Sequence, residues 1–315
     1  MGRYLLRRLV SMIGVLVGVS IIVFLALHLS PGDPAQLLLG PLARPDDLAR
    51  LREELGLTEP LPVQYWKWFT HVLQGDFGRS ISSHRPVLAD ITERFRATAI
   101  LAGASLILSV TLGMLTGVIS AVRRGRTDRV TQIVSLVSMS MPSFWLGMVL
   151  IIVFSLTLGW LPGSGMISPR GEGGVLDVLL HLVLPALTLA AVPTAVISRI
   201  TRSNVLDAMA NDYVRTGRGK GLSERALVIR HVLPNTFVGL ATVIGIEAGY
   251  LLAGAVLVET VFAWPGLGSL LVTSILKRDF PIVQGGVMLI AVVYVLINLA
   301  TDLAYAYLDP RIRYG

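Results

Sequence analysis

Ala97-Thr98-Ala99-Ile100-Leu101-Ala102-Gly103-Ala104-Ser105-Leu106-Ile107-Leu108-Ser109-Val110 opens a run that continues without a charged side chain to Val122. Arg94 and Arg96 stand before it and Arg123 and Arg124 directly after it. A helix needs about 20 apolar residues to cross about 30 Å of hydrocarbon, so this run is long enough to span a bilayer. Similar runs recur along the chain. Six spans are expected, near 9–29, 97–122, 132–158, 178–199, 236–260 and 282–307. Composition agrees: 53% of the 315 residues are hydrophobic, 15% are charged, and the mean hydropathy is +0.70. Soluble domains carry about 25% charged residues, enough to cover a water-facing surface, and this chain does not. The fold class that follows is an all-α membrane protein.

The same composition excludes several kinds of chemistry. The sequence pI of about 10.0 would suit a nucleic-acid partner, but the charges sit between apolar blocks and form no basic stripe. With no cysteine, disulfides, thiolate metal sites and cysteine nucleophiles are ruled out. The five histidines, His28, His71, His84, His181 and His231, show no metal-ligand spacing, and no catalytic group is recognisable. The lysines are Lys67, Lys220 and Lys277, and none lies in a phosphate-cradling Gly-Lys-Ser/Thr. No ATP site can be built from that motif. Arg3, Arg7 and Arg8 precede the first span as in a signal peptide, yet the apolar run exceeds a 7–15-residue core and no A-x-A site follows, so it is read as a retained span.

Orientation follows from the basic residues. With the N-terminus inside, the inner segments hold sixteen: Arg3, Arg7, Arg8; Arg123, Arg124, Arg126, Arg129; Arg199, Arg202, Arg215, Arg218, Lys220, Arg225, Arg230; Arg311, Arg313. The two short outer loops hold three, Arg170, Lys277 and Arg278. Both termini are therefore expected in the cytoplasm. The chain is divided into an N-terminal tail and first span (1–29), an extracytoplasmic segment (30–96), a membrane core (97–307) containing a cytoplasmic loop (200–235), and a C-terminal tail (308–315). Pro142 in the third span and Pro185 and Pro193 in the fourth each remove a backbone hydrogen bond. Such kinks serve helix packing or line a wet pathway.

Within 30–96, Pro45-Asp46-Asp47 starts a helix with an apolar stripe of Leu48, Leu51, Leu55 and Leu57 that ends near Gly56. A second helix from Val63 to Leu73, stopped by Gly75, gathers Tyr65, Trp66, Trp68 and Phe69. That aromatic face suits the membrane interface. It either caps the outer ends of the spans or meets a partner or substrate.

The most informative loop lies between spans four and five. It reads Asn211-Asp212-Tyr213-Val214-Arg215-Thr216-Gly217-Arg218-Gly219-Lys220-Gly221-Leu222-Ser223-Glu224-Arg225, followed by His231-Val232-Leu233-Pro234. One short helix, a glycine stop, a second helix capped by Ser223 and a proline make a compact elbow. Such an element either presses into a partner's groove or lies on anionic head groups.

This stretch resembles the cytoplasmic signature of ABC importer permeases, E-A-A-x3-G-x9-I-x-L-P. Arg215-Thr216-Gly217, Gly221 and His231-Val232-Leu233-Pro234 reproduce its spacing, while the first three letters and the isoleucine differ. Tyr213 to Ser223 is similar to the dipeptide/oligopeptide/nickel branch, with Gly217 and Gly219 where alanine is usual. Each Ala-to-Gly change costs a helix about 1 kcal/mol, so a shorter or looser coupling helix is expected. Further branch-like segments, in order, are Gly32–Ala35, Gln74–Ser80, Pro142–Gly147, Val258–Gly268 and Leu308–Gly315. The chain resembles a B-type permease of a peptide importer over nearly its whole length.

The resemblance implies the rest of the machine. A second permease, normally a different gene product, completes the pathway for di- or oligopeptides; nickel, glutathione or an oligosaccharide are the alternatives within the branch. Two ABC ATPase subunits bind ATP and Mg and carry the hydrolysis, and an extracytoplasmic binding protein delivers substrate. This chain itself binds no cofactor or metal, touches membrane lipid and no nucleic acid, and resides in a bacterial or archaeal cytoplasmic (inner) membrane. The implied ATPase contact is Asp212 to Leu222 with His231, Leu233 and Pro234.

Glu247, Glu259 and Asp302 are acids within or bordering late spans. A charge at a helix centre costs about 2.5–3.5 kcal/mol on insertion scales, so such groups face a cavity or a partner. Glu247, nearest a span centre, is the candidate pathway residue, or else a buried hydrogen-bonding group; Pro142 and Ser143 are further candidates. Glu259 and Asp302 are expected to brace loops. A proton- or sodium-driven transporter would need inverted repeats and an acid–base relay, and neither is visible.

Overall fold

The computed structural model describes residues 2–28, 34–39, 43–54, 56–169 and 173–308. Gly32 and Asp33, Leu55, Arg170 and the tail from Asp309 lie outside the described residues. Helices are α1 Gly2–His28, α2 Pro34–Leu39, α3 Pro45–Glu54, α4 Leu61–Leu73, α5 Val87–Val122 and α6 Arg126–Ser140. After these come α7 Ser143–Leu150, running into a π-helical turn Ile151–Thr157, then α8 Val175–Met209 and α9 Asp212–Gly219. The chain ends with α10 Glu224–Leu227, a π-helical turn Val228–Val232, α11 Leu233–Val261, α12 Leu267–Leu276 and α13 Phe280–Leu308. No strand occurs among the described residues. Five helices (within α1, α5, α8, α11 and α13) are long and apolar enough to cross a membrane, and a sixth span arises if the bent pair α6–α7 counts as one.

The expected third span, 132–158 with a kink at Pro142, is broken there more sharply than a kink. The chain turns by 107° between Arg126–Ser140 and Ser143–Thr157. Met141 and Pro142 adopt extended backbone there, and Pro142 has no N–H to continue the ladder. Pro185 and Pro193, by contrast, sit inside the unbroken α8.

The chain divides into two compact units, residues 1–96 with 270–295 and residues 97–269 with 296–315. In the first, α3 starts at Pro45 as expected, and α4 starts two residues before the expected Val63 and ends at the expected Leu73. The Tyr65 and Trp68 rings pack 5.4 and 5.8 Å from that of Phe24 on α1, and the Tyr65 hydroxyl hydrogen-bonds to Ser20 at 2.8 Å. Part of the aromatic face thus covers α1, while Trp66 stays exposed. In the same unit the Asp279 carboxylate accepts from Ser80 Oγ at 2.5 Å and from the Ile81 and Ser82 amides at 3.1 Å each. These bonds fix the loop before α5.

In the second unit α8 is the central element, packed on α6, α7 and α11. Close crossing with α5 depends on Gly113 and Gly117, where an added Cβ would press on Ile197, Ser198 and Thr201. Leu101, Leu184, Leu251, Ala255, Val258, Phe262 and Trp264 form the buried core.

Candidate functional site

The loop between α8 and α11 folds as an amphipathic elbow. Along α9, Val214 and Gly217 are buried one helical turn apart, while Asp212, Tyr213, Arg215, Thr216, Arg218 and Gly219 remain exposed. Val214 joins Leu227 and Val232 from the loop with Ala121, Val205 and Ala208 from the ends of α5 and α8 in one apolar cluster. Leu233 packs partly against it. The loop is therefore fastened to two long helices on one side and presents a cationic face on the other.

Glycine chemistry sets the shape of the elbow. Gly221 has φ +80°, a left-handed conformation that glycine adopts without a Cβ penalty. Around it the Leu222 amide donates to the Gly217 carbonyl at 3.2 Å and the Gly221 amide to Arg218 at 2.9 Å. That pair of bonds is the Schellman termination of α9, so the signature glycine is the residue that ends the helix. Gly217 has a different function. A Cβ there would collide with Leu227 Cδ2, so its absence lets α9 lie directly on α10. The looseness expected from alanine-to-glycine replacement is offset at this position by packing, whereas a Cβ on Gly219 would meet open space.

Ser223 caps α10 by accepting from the Ala226 amide at 3.3 Å. Arg218 reaches Glu224 through two bonds, 2.6 and 3.2 Å, tying α9 to α10 across the turn. The hydrogen bonds from Arg218 hold the Glu224 carboxyl below its ordinary range. Lys220, Gly221, Leu222 and His231 are exposed. Pro234, also exposed, lies in the first turn of α11, where a missing N–H is tolerated.

The pathway candidates are not gathered at this site. Pro142 and Ser143 stand at the α6–α7 break. Glu247 is 6% exposed on α11 and shares a helix face with Leu251, Ala255 and Val258, at spacings of 4, 8 and 11. Its carboxyl makes no hydrogen bond with a described residue.

Two polar junctions in this unit pair residues far apart in the chain, whose partnership the sequence reading did not give. Glu259, fully buried, accepts from Thr98 Oγ1 at 2.5 Å and from the Ser269 amide at 2.9 Å. Thr98 also accepts from the Leu267 amide at 2.8 Å, and Trp264 Nε1 donates to the Ala97 carbonyl at 2.9 Å. An added Cβ on Gly266 would strike the Glu259 carboxyl. Glu259 thus braces the 262–269 turn as expected, but its partner Thr98 lies 161 residues away in the chain and carries no local signal. Near the elbow, Arg202 grips Asp128 with bonds of 2.7 and 2.8 Å, and Ser120 and Gln132 donate to the same carboxylate at 2.6 and 3.0 Å. That junction joins α5, α6 and α8. Among the described residues no group of His, Asp and Glu could hold a metal.

Comparison with known proteins agrees with this architecture. Residues 109–314 match the family described as binding-protein-dependent transport system inner membrane component, and residues 1–102 match its N-terminal companion family. The glutathione transport system permease protein GsiC of Salmonella choleraesuis (strain SC-B67) is 45% identical over 315 residues, covering all of both chains. GsiC of Escherichia coli (strain K12) is 43% identical over the same extent. Among solved structures, an inward-facing form of the MetNI methionine ABC transporter matches with a TM-score of 0.58 at 17% identity, covering 70% of this chain and 96% of that one. It shares the fold. The chain therefore belongs to the binding-protein-dependent transport system inner membrane components, and is a multi-pass, inner-membrane permease subunit of an ABC importer.

Proposed function

We propose that this permease forms, with a second and non-identical permease, the pathway by which small peptides enter the cytoplasm, and that residues 212–222 receive the stroke of an ATPase subunit. An ABC importer permease in general works with a partner permease, ATPases and a binding protein. The observation that supports the coupling assignment is the elbow itself. One face is fixed to α5 and α8 through Val214, Leu227 and Val232, and the other leaves Arg215 and Lys220 exposed to meet a groove, beside the Arg218–Glu224 pair. Force on such a part is transmitted to the spans rather than absorbed by the loop. In this reading both termini and the elbow are cytoplasmic, α2–α4 are extracytoplasmic, and ATP and Mg stay on the ATPase subunits.

Within the peptide class, the GsiC relatives favour glutathione, itself a tripeptide, as the first substrate to test. The experiment is a mild-detergent pull-down of tagged chain, an ATPase assay, and uptake of labelled glutathione, dipeptides, oligopeptides, nickel and oligosaccharide by the reconstituted complex. Recovery of a second permease and ATPase subunits, with stimulation by a peptide-class solute, is expected. A chain that purifies alone and moves solute in a proton gradient would overturn the reading. Glu247→Gln is expected to alter the KM for the transported solute; unchanged transport of every solute tested would remove Glu247 from the pathway.

A further inference from the structure

Between the end of α5, α6 and the last third of α8 lies an open pocket of about 240 Å³. Its walls differ in character. Ile133, Leu136 and Met139 make one side apolar, and Ser135, Arg199 and Arg202 make the other polar. Arg202 is already neutralised by the two bonds to Asp128. Arg199 is exposed and forms no ion pair with a described residue. Ser135 is 91% buried, yet its hydroxyl makes no hydrogen bond with a described residue.

Exposed Arg123, Arg124, Arg126 and Arg129 lie in the chain between the lining residues Ser120 of α5 and Thr131 of α6, and none is paired with a described carboxylate. The outer face of α6 beside it is apolar and uncovered in the single chain, with Val130, Ile133, Val134, Leu136 and Val137 between 46% and 64% exposed. A cationic rim, an uncompensated guanidinium, an unpartnered hydroxyl and an apolar flank occur together where a membrane helix meets the charged boundary. A soluble anion would match the charge but not the flank. We infer that this pocket binds the phosphate headgroup of an anionic phospholipid on Arg199 and Ser135, with an acyl chain along Leu136 and Met139.

The test uses the complete importer, stripped of lipid in detergent and titrated with phosphatidylglycerol or phosphatidylcholine, with bound lipid read by native mass spectrometry. Phosphatidylglycerol is expected to bind preferentially, and Arg199→Gln to weaken it about fivefold, the factor contributed by one basic residue near an anionic surface. Ser135→Ala is expected to weaken it further, and Arg225→Gln, outside the pocket, to leave it unchanged. Equal binding of both lipids, full competition by inorganic phosphate, or indifference to Arg199→Gln would overturn the site. So would lipid binding intact in Arg199→Gln with an altered transport KM, which would give the pocket to the solute, or no lipid bound at all, which would leave the pocket to the partner permease.

Discussion

The elbow at 211–234 and the turn at 262–269 both follow a membrane helix and both depend on glycine, but they are built in opposite ways. The turn is sealed: Glu259 and Trp264 are fully buried and bonded to Thr98 and Ala97. Gly266 is required because the carboxyl occupies the space of a Cβ. The elbow commits Val214, Gly217, Leu227, Val228 and Val232 to the interior and leaves its basic residues in contact with solvent. A part that holds helices in place is closed on all sides, whereas a part that receives a partner is fixed on one side only.

If the contrast is correct, the largest effect belongs to the turn. Glu259→Ala removes the acceptor for Thr98 and the Ser269 amide and is expected to destabilise the folded chain by about 3 kcal/mol, read by thermal unfolding in detergent. A loss no greater than that of a surface substitution would mean the brace is ornamental. Next is Gly217→Ala, whose new methyl meets Leu227; a loss of about 1–3 kcal/mol is expected, relieved in part by Gly217→Ala combined with Leu227→Val. Because the family branch usually has alanine here, a stabilised single variant would show that Leu227 is free to move aside. Replacing Gly221, at φ +80°, is expected to cost about 1 kcal/mol and to fray the end of α9, visible as faster amide exchange at Leu222.

Arg215→Ala and Lys220→Ala should leave stability within about 0.5 kcal/mol, as exposed substitutions do, yet reduce ATP-driven transport by the assembled importer. Normal transport in both would break the comparison on its functional side. The smallest effect is one of pH. Because the Glu224 carboxyl is held below its ordinary value by Arg218, the link between α9 and α10 is complete above the unfolded carboxyl's pKa and is lost as pH falls through the lowered one. Amide exchange in 212–224 should therefore rise only under acid conditions, and Glu224→Gln should abolish that dependence.

Much of this was legible in the chain. Long uncharged runs announced the spans, because a bilayer leaves no alternative use for about 20 such residues in series. Pro45, Gly56, Leu73 and Gly75 bounded α3 and α4, and Ser223 the start of α10. Pro142 was visible as a disturbance, but a proline alone does not distinguish a kink from a 107° turn, which depends on what packs around it. Thr98 with Glu259, and Asp128 with Arg202, are long-range pairs between residues of ordinary type, and spacing cannot reveal them. Gly217 was read as a weak point of the helix because propensity sees only the backbone, whereas Leu227 sits ten residues on and decides the matter.

The absence of cysteine gives the most direct test of the coupling assignment, since Lys220→Cys carries a unique thiol. A short photo-crosslinker on that thiol, activated in native membranes with the whole importer present, is predicted to join this chain to an ATPase subunit, more efficiently when ATP is bound. Crosslinks that reach only lipid, with or without nucleotide, would contradict the account.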